Sequence, residues 1–545
     1  MKMVKFLLPL ILFSGLALPG KAQLVDQLIP IHQNRSGQVA AGYIFITPST
    51  LSSPGDYPSS LCILDSIGNP VFFKPFTDQT SGPYPSAQVT DFKLQPSGLL
   101  SYATRLASGA MGMYFLDNTF SIVDSIQSMN GFSTDSHDLI HLPDGSYHLV
   151  GYENRTLDLS QLTTLDGTQG SETANVLGNV LQRFDAQKNL EFEWKTLDHF
   201  AMEDSYQHAF TQPAYLDHAH YNSLEIDDDG NYLLSFRHLH EITKINAQTG
   251  EVIWHLGGKN NQFSFLGDTM QFSTQHDARR IDNGNLTLFD NGAYNSVPIA
   301  RGIEYQLDEI NMTATAVWQF GEPNGLPSLF IGNTTRLNNG NTLINWGGAF
   351  PLAETTSFTE VDAFGNIVLE LDLIPDTYIS YRAVKQELPF SIPRPEIGCD
   401  GENSTLSAPE GYASYEWNTG ATTQNITVSD TGTYQVWVNL GIGFVSSIPY
   451  QVNDLASVCN LTNVMEPEPS QFHLFPNPAS EELFVEYAER GMMTAQIITV
   501  SGQVIETIEL DFYENNKQSR IDISRLPVGL YYLRIGGISR SFIKL

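Results

Sequence analysis

Short runs in which apolar and polar residues alternate recur along most of this chain, paired across turns rich in Asp, Asn and Gly. Alternation with period two marks a strand with one buried face, and the turn chemistry joins two such strands into a hairpin. One hairpin appears six times: LCILDSIGNPVFF from Leu61, MYFLDNTFSIVDSI from Met113, LQRFDAQKNLEFEW from Leu181, ITKINAQTGEVIW from Ile242, IEYQLDEINMTATAVW from Ile303 and FTEVDAFGNIVLEL from Phe358. Ahead of five of these lies a second hairpin, turning near Gly98, Gly145, Gly230, Gly284 and Gly340, and ahead of the first lies the weaker QVAAGYIFITP from Gln38. Two hairpins per repeat make four strands, and a spacing of about 40 to 60 residues is that of a propeller blade. The pattern predicts an all-β chain with a six-bladed β-propeller over residues 36–390, inside a domain spanning 23–393. The long interval between Gly145 and Gly230 predicts an insertion at residues 154–178 and 196–216, the second part placed to cover the channel mouth.

From Arg394 onward the composition shifts. Residues 394–458 hold short strands and the sequence DTGTYQVWV, which resembles a bacterial Ig-like β-sandwich module. A linker at 459–470 separates it from residues 471–545, where FPNP, VSGQVI, LPVGLYYLRI and a short Lys-bearing tail resemble the C-terminal sorting domain of type IX secretion, a small β-sandwich. That resemblance implies export from a Gram-negative bacterium to the cell surface or beyond, with the type IX machinery as partner. The first 22 residues, with two early lysines, an apolar run too short to span a bilayer and small residues before Gln23, read as a secretory signal peptide. No other apolar run is long enough to cross a membrane, so no membrane span is expected.

A formal net charge of −32 over 545 residues excludes the electrostatics that nucleic-acid binding needs, leaving no nucleic acid among the expected partners. Three cysteines are too few for a disulfide scaffold. Cys399 and Cys459 bracket the Ig-like segment and could pair in an oxidising compartment, and Cys62, in LCILDS, reads as a buried strand residue.

Three histidines occupy one repeat position: His137 in HDLIHLPDGSYHLVGYE, His220 in HYNSLEIDDDGNYLLSFR and His276 in HDARRIDNGNLTLFDNG. A lone His beside a strand is more often packed than catalytic, but equivalent positions of propeller blades converge on one axis. Arg237, ending the second of these units, adds a cation, and imidazoles with a guanidinium suit an anionic substrate. His218 and His220, two apart, would share one face of a strand, a spacing that also suits a metal. IDDDGN lacks the spaced ligands of a calcium loop and reads as a turn.

The set HD, DHAHYNS, SFR, QHDARR with DNGN, and NTTRLNNGNTLINWGG resembles the bacterial arylsulfate sulfotransferases, six-bladed propellers that work without the nucleotide sulfate donor PAPS. Carried over position by position, the resemblance implies that His276 is the nucleophile, that His220, Asn222 and Arg237 bind the sulfuryl group, that His137 is a further channel histidine, and that Thr334 or Thr335 is a small polar residue of the last blade. It implies an aryl sulfate donor, a phenolic acceptor, a covalent sulfohistidine, and neither cofactor nor metal. Members of the family can carry an N-terminal β domain, for which little chain is left here between the expected signal cut and the first blade. Two other readings stand beside this one: a non-catalytic surface propeller that binds a glycan or protein, and a metal-dependent hydrolase or lyase using the histidines, weakened by the lack of an evident carboxylate to complete a metal triad.

Overall fold

A computed structural model describes residues 27–50, 57–76, 89–105, 109–349, 356–455, 458–459 and most of 472–544. The expected signal peptide at 1–22 and nearly all of the linker at 459–470 lie outside the described residues. The chain divides into two units, Met1–Cys459 and Asn460–Leu545.

In the first unit, six sheets each contain a four-stranded antiparallel blade in which the strand nearest the axis is followed outward by three others. The inner strands, Tyr378–Gln386, Val89–Leu94, Ser133–His141, Tyr221–Ile226, His276–Arg280 and Asn333–Arg336, neighbour one another in that order and return to the first, closing the ring. Between blades the core is apolar, as where Trp254, Leu256, Leu288 and Tyr305 pack together, and where Val150, Leu181, Tyr221 and Leu234 do.

Blade 1 departs from the repeat pattern. The segment from Gln38 supplies one strand, Tyr43–Thr50, and the inner strand is Tyr378–Gln386 from the far end of the ring, paired from Tyr43↔Gln386 to Thr50↔Tyr378. Ile31–Arg35 adds a fifth, outermost strand to blade 6 through Ile31↔Leu373 to Arg35↔Leu369. Both ends of the propeller segment thus close the ring by main-chain pairing, so it cannot open at that seam without breaking two ladders.

Residues 154–178 lengthen a hairpin, as Tyr147–Leu157 pairs with Ala174–Phe184 over their whole length. Residues 196–216 hold three short 3-10 turns, after which Tyr215–Asp217 lies parallel to Asn175–Leu177. The two parts share a small core of Leu159, Val176, Phe210 and Leu216, so they form one insertion rather than two loops.

Where the inner strands converge the axis is filled by charge. Asp138 is fully buried and meets Arg279 at 2.6 Å, Arg382 at 3.3 Å and Lys93. Arg382 also meets Asp91 and, at 3.1 Å, Asp277, while Arg279 meets Asp277 at 2.8 Å. Burial alone would raise the Asp138 carboxyl, but Arg279, Arg382 and Lys93 outweigh it and hold it well below the usual range. These residues leave the regular strands through bulges: the ladder shifts between Thr90 and Lys93, between Tyr221 and Ser223 and between His276 and Arg279, and residues 135–138 stand opposite the single residue Val150. Asp91, His220 and Asp277 have φ of 53°, 52° and 55°, conformations costly for residues with a Cβ and held by the surrounding network.

Beyond the ring, Tyr415–Trp417, Val436–Asn439 and Phe444–Ser446 extend the blade 1 sheet through Phe444↔Phe73 and Val445↔Phe72, and short strands around Trp417, Val436 and Val438 complete the segment. Cys399 and Cys459 are joined by a disulfide, and Cys62 is a free, buried strand residue. The second unit is a three-stranded and a four-stranded antiparallel sheet around Leu483, Val485, Ile497, Leu533 and Phe542.

Asp138→Ala leaves Arg279, Arg382 and Lys93 sharing too few counter-charges and should destabilise the first unit by about 3–5 kcal/mol in chemical denaturation. A loss below about 1 kcal/mol, the value of a surface pair, would show that the ring does not depend on this hub.

Candidate active site

The bulges split neighbouring side chains. In His137–Asp138 and again in His276–Asp277, the Asp enters the hub and the His joins a second layer beside it. The rings of His137 and His220 lie 5.3 Å apart, edge to face, and His220 is 4.6 Å from His238. Arg237 sits beside His220 because its backbone N–H closes the blade 4 hairpin on the His220 carbonyl at 2.9 Å. Arg237, His220 and His137 are close enough to act electrostatically on His276, which is only 3% exposed. The four residues singled out in the sequence therefore lie within electrostatic reach of one another.

Each of the three histidines has its Nδ1 on a fixed acceptor. His137 meets Asp135 at 2.6 Å, His220 meets Asp217 at 2.6 Å, and His276 meets Asn291 Oδ1 at 2.7 Å and the Thr274 carbonyl at 3.1 Å. With Nδ1 as donor, Nε2 carries the lone pair of a neutral ring. Burial opposes charge on His137, but Asp135 outweighs it, and the ring is raised toward the imidazolium. Burial pushes His220 and His276 well below the ordinary histidine range, helped at His220 by the His137 and Arg237 charges and at His276 by Arg237. One imidazole is thus disposed to charge and two to stay neutral.

Arg237 differs from the arginines of the hub. Its Nη1 donates to His238 Nε2 and its Nη2 to the Leu329 carbonyl, both at 2.7 Å, while its buried Nε has no partner. Arg279, Arg280, Arg301, Arg336 and Arg382 all meet carboxylates, but among the described residues Arg237 forms no ion pair. A guanidinium in that state is a ready site for an anion. Asn222, fully buried, donates to the carbonyl of Gln275, the residue before His276, at 2.7 Å, and its Oδ1 is unpartnered. Thr334 packs against Gly302 of blade 5 with its hydroxyl unpartnered, and Thr335 accepts from Asn333 at 3.0 Å. Those two lie on the inner strand of blade 6, Thr334 turned between blades.

Residues 92–382, slightly more than half of the chain and including every residue just named, match the sequence model of the arylsulfotransferase (ASST) family. The chain belongs to that family. Residues 473–544 match the secretion system C-terminal sorting domain. The arylsulfate sulfotransferase AssT of Lelliottia amnigena is 42% identical over 60 residues, and that match spans 10% of this chain and 10% of the relative. Among solved structures, a protein of unknown function from Bacteroides caccae is 12% identical with a TM-score of 0.39, covering 63% of this chain and 98% of its own. A catalytically inactive virginiamycin B lyase from Staphylococcus aureus is 8% identical with a TM-score of 0.25, covering 66% and 98%.

In this arylsulfotransferase-family chain the insertion reaches the histidines through its second part. The Tyr206 N–H donates to the His238 carbonyl at 3.0 Å, Tyr206 stacks on His240 at 3.9 Å, and His208 stacks on Tyr294 at 4.1 Å. His208 and His240 each bury an unpartnered Nε2. His199, on the same insertion, instead stacks on Trp194 at 4.6 Å. The pairing of His218 with His220 on one strand face does not form. His220 leaves the extended region at φ 52°, and His218 is buried with its Nε2 2.8 Å from the Ala201 carbonyl.

Asp217, His220 and His238 do place one ligand atom each within 4.8 Å of one another, so a carboxylate stands where the sequence offered no evident one. Both ring nitrogens of His238 are engaged, Nδ1 with the Asp217 carbonyl and Nε2 with Arg237, each at 2.7 Å. A cation there would displace a hydrogen bond and face the guanidinium. Asp135, Asp217, His238 and Asn291 were not singled out in the sequence. Asp135 and Asp217 lie two and three residues from their histidines, a signal visible only once the bulges are known, and Asn291 lies across a hairpin.

Burial lowers His208 to about 4 and His240 to about 3, and the unfolded chain binds protons at these sites near the ordinary histidine value. Protons then bind preferentially to the unfolded state between those limits, so stability should fall as pH drops from about 6.5 toward 4, opposed in part by the raised His137. Denaturation midpoints measured across that range should decline with acidification, and His208→Asn and His240→Asn should each flatten the decline. A slope unchanged in both variants would contradict the burial argument.

Proposed function

We propose that this protein is an arylsulfate sulfotransferase that moves a sulfuryl group from a phenolic sulfate ester to a phenolic acceptor through a covalent sulfohistidine on His276, without PAPS or metal. The observation that carries the reading is Arg237, a guanidinium with no ion pair among the described residues and an unpartnered Nε, acting on a neutral imidazole whose Nδ1 is already engaged. The Nε2 lone pair of His276 attacks sulfur, the S–O bond to the aryl group breaks, and the electron pair leaves on the phenolate oxygen. Arg237 meets the charge on the sulfuryl oxygens from a position set before substrate arrives. His137, disposed to the imidazolium, donates toward the departing phenolate, and the acceptor's proton returns to the His137–His220 pair as its oxygen takes the sulfuryl group. Asn222 acts by holding the backbone before His276, and Thr334 or Thr335 is the small polar residue of the last blade. Tyr206, His208 and Tyr294, on and against the insertion, offer flat ring faces for the aryl group and are where acceptor preference resides.

The second reading, a metal-dependent hydrolase or lyase, is favoured by the Asp217–His220–His238 cluster and opposed by Arg237 bound to one of its members. The sorting domain supports delivery by type IX secretion to the surface or exterior of a Gram-negative cell, with residues 394–458 as an Ig-like spacer.

His276→Ala should abolish both release from 4-nitrophenyl sulfate and transfer to phenol, a loss of at least about 10³-fold, and rapid quenching of wild type with donor alone should add a sulfuryl mass to the His276 peptide. Phenol-dependent release that survives chelator supports sulfuryl transfer. Release abolished by chelator, or a mass on another residue, overturns it.

Removing residues from Phe472 onward should leave kcat/KM in the purified protein within about twofold while blocking surface delivery in cells. A purified truncation without activity would show that the second unit takes part in the chemistry.

A further inference from the structure

His137, His220 and His276 are anchored alike at Nδ1 and differ in what anchors them. A carboxylate faces the first two, Asp135 and Asp217, each at 2.6 Å, whereas an amide oxygen, Asn291 Oδ1, faces His276 at 2.7 Å. Asn291 is itself fixed. It is fully buried, and its Nδ2 donates to Ser328 Oγ at 3.1 Å and to the Ile331 carbonyl at 2.8 Å. Turning the amide over would set its oxygen against the Ile331 carbonyl, which can only accept, and an NH2 group against the imidazole, so the oxygen is held toward the ring. The other acceptor at His276 Nδ1, the Thr274 carbonyl at 3.1 Å, is neutral too.

We propose that Asn291 is the positioning residue of the sulfuryl transfer: it locks His276 as the Nδ1–H tautomer with the Nε2 lone pair free, and its neutrality makes His276 the nucleophile while the carboxylate-anchored His137 and His220 handle protons. The inference rests on the reading of His276 given above and adds the reason for that choice among three similar rings. As the N–S bond forms at Nε2 and the S–O bond breaks onto the aryl oxygen, Nδ1 keeps its hydrogen and the ring gains positive charge. An amide dipole supports that charge only modestly, so the N–S bond stays easy to break, its electron pair returning to Nε2 when the acceptor oxygen takes the sulfuryl group. A carboxylate at the same distance would stabilise the charged ring, prolonging the intermediate, and would favour a proton on Nε2 in the resting enzyme.

The other charged groups around His276 do not supply that anion. Arg237, His220 and His137 disfavour a positive ring. Asp277, next in the chain, is committed to Arg279 and Arg382, and Asp290, next to Asn291, is bound by Arg301 and by the Ser273 and Gly292 amides.

The test uses the full chain with Asn291→Asp and Asn291→Leu, each checked for wild-type unfolding behaviour. Diethylpyrocarbonate modifies neutral imidazole, and its reaction with the His276 peptide, followed by mass across pH, reads protonation without requiring sulfuryl transfer. Wild type should stay reactive well below the ordinary histidine range, whereas Asn291→Asp should lose reactivity as pH falls through a value raised above that of wild type. With 4-nitrophenyl sulfate alone, the trapped sulfuryl mass should persist about tenfold longer in Asn291→Asp. Asn291→Leu, which lacks the acceptor, should lower kcat with the donor KM within about twofold.

An Asn291→Asp protein with the pH profile and intermediate lifetime of wild type overturns the proposal. A shifted profile with no sulfuryl mass in any protein supports the tautomer lock and refutes the transferase reading. A sulfuryl mass on His276 with an unshifted profile does the reverse.

Discussion

Asp138 is the group on which the ring depends. Six inner strands can meet around one axis only if what they project toward it is mutually compatible, and here they project ions: Asp91 and Lys93 from blade 2, Asp138 from blade 3, Asp277 and Arg279 from blade 5, and Arg382 from the strand that closes blade 1. A buried cluster of this kind is worth little compared with an apolar plug, but it fails badly if one member is missing, so it favours correct closure over loose collapse. Glu225 completes the rim, 3.3 Å from Arg279, with burial pushing its carboxyl up to about 7.

The same bulges that feed the hub build the site. An ordinary strand turns successive side chains to opposite faces of its sheet, and at the inner edge neither face is the axis. By spending extra residues at 135–138 and around His276, the strand turns Asp toward the hub and leaves the adjoining His for the reaction layer. Tyr381 and Arg382 repeat the division on the closing strand, with the Tyr381 ring 5.5 Å from His137 and Arg382 in the hub. The site is therefore rigid for the reason that the ring is closed, and its strain is stored at residues such as His220 and Asp277 that only this packing would hold at positive φ.

What was legible in the sequence follows from range. The outer hairpins announce themselves because period two and the turn residues are local, and the three histidines stand out because a repeat places them in register. Ring closure was not legible, since nothing within Tyr43–Thr50 or Ile31–Arg35 reveals a partner more than three hundred residues away. The histidine partners fall between these cases. Asp217 lay inside the quoted DHAHYNS, yet its contact with His220 requires a backbone turn that no alternation pattern encodes, and the same turn defeats the pairing of His218 with His220. Tyr206 and His208 arrive on an insertion with no repeat to align, and only its docking on His238 shows that it belongs to the site.

The charge of the chain and the charge of the site point in opposite directions, and the distance over which each acts resolves them. A formal charge of −32 repels an anion at long range, but salt screens it beyond about 8 Å under physiological conditions. Within that distance an arriving anion meets Arg237, which forms no ion pair among the described residues, and His137, whose proton Asp135 helps to hold. Of the nearby carboxylates, Asp277 and Asp138 are engaged by the hub, Asp290 by Arg301 and Asp217 by His220. Positive charge at this axis thus rests on the arginine that forms no ion pair among the described residues, and the hub that closes the ring also engages Asp138 and Asp277.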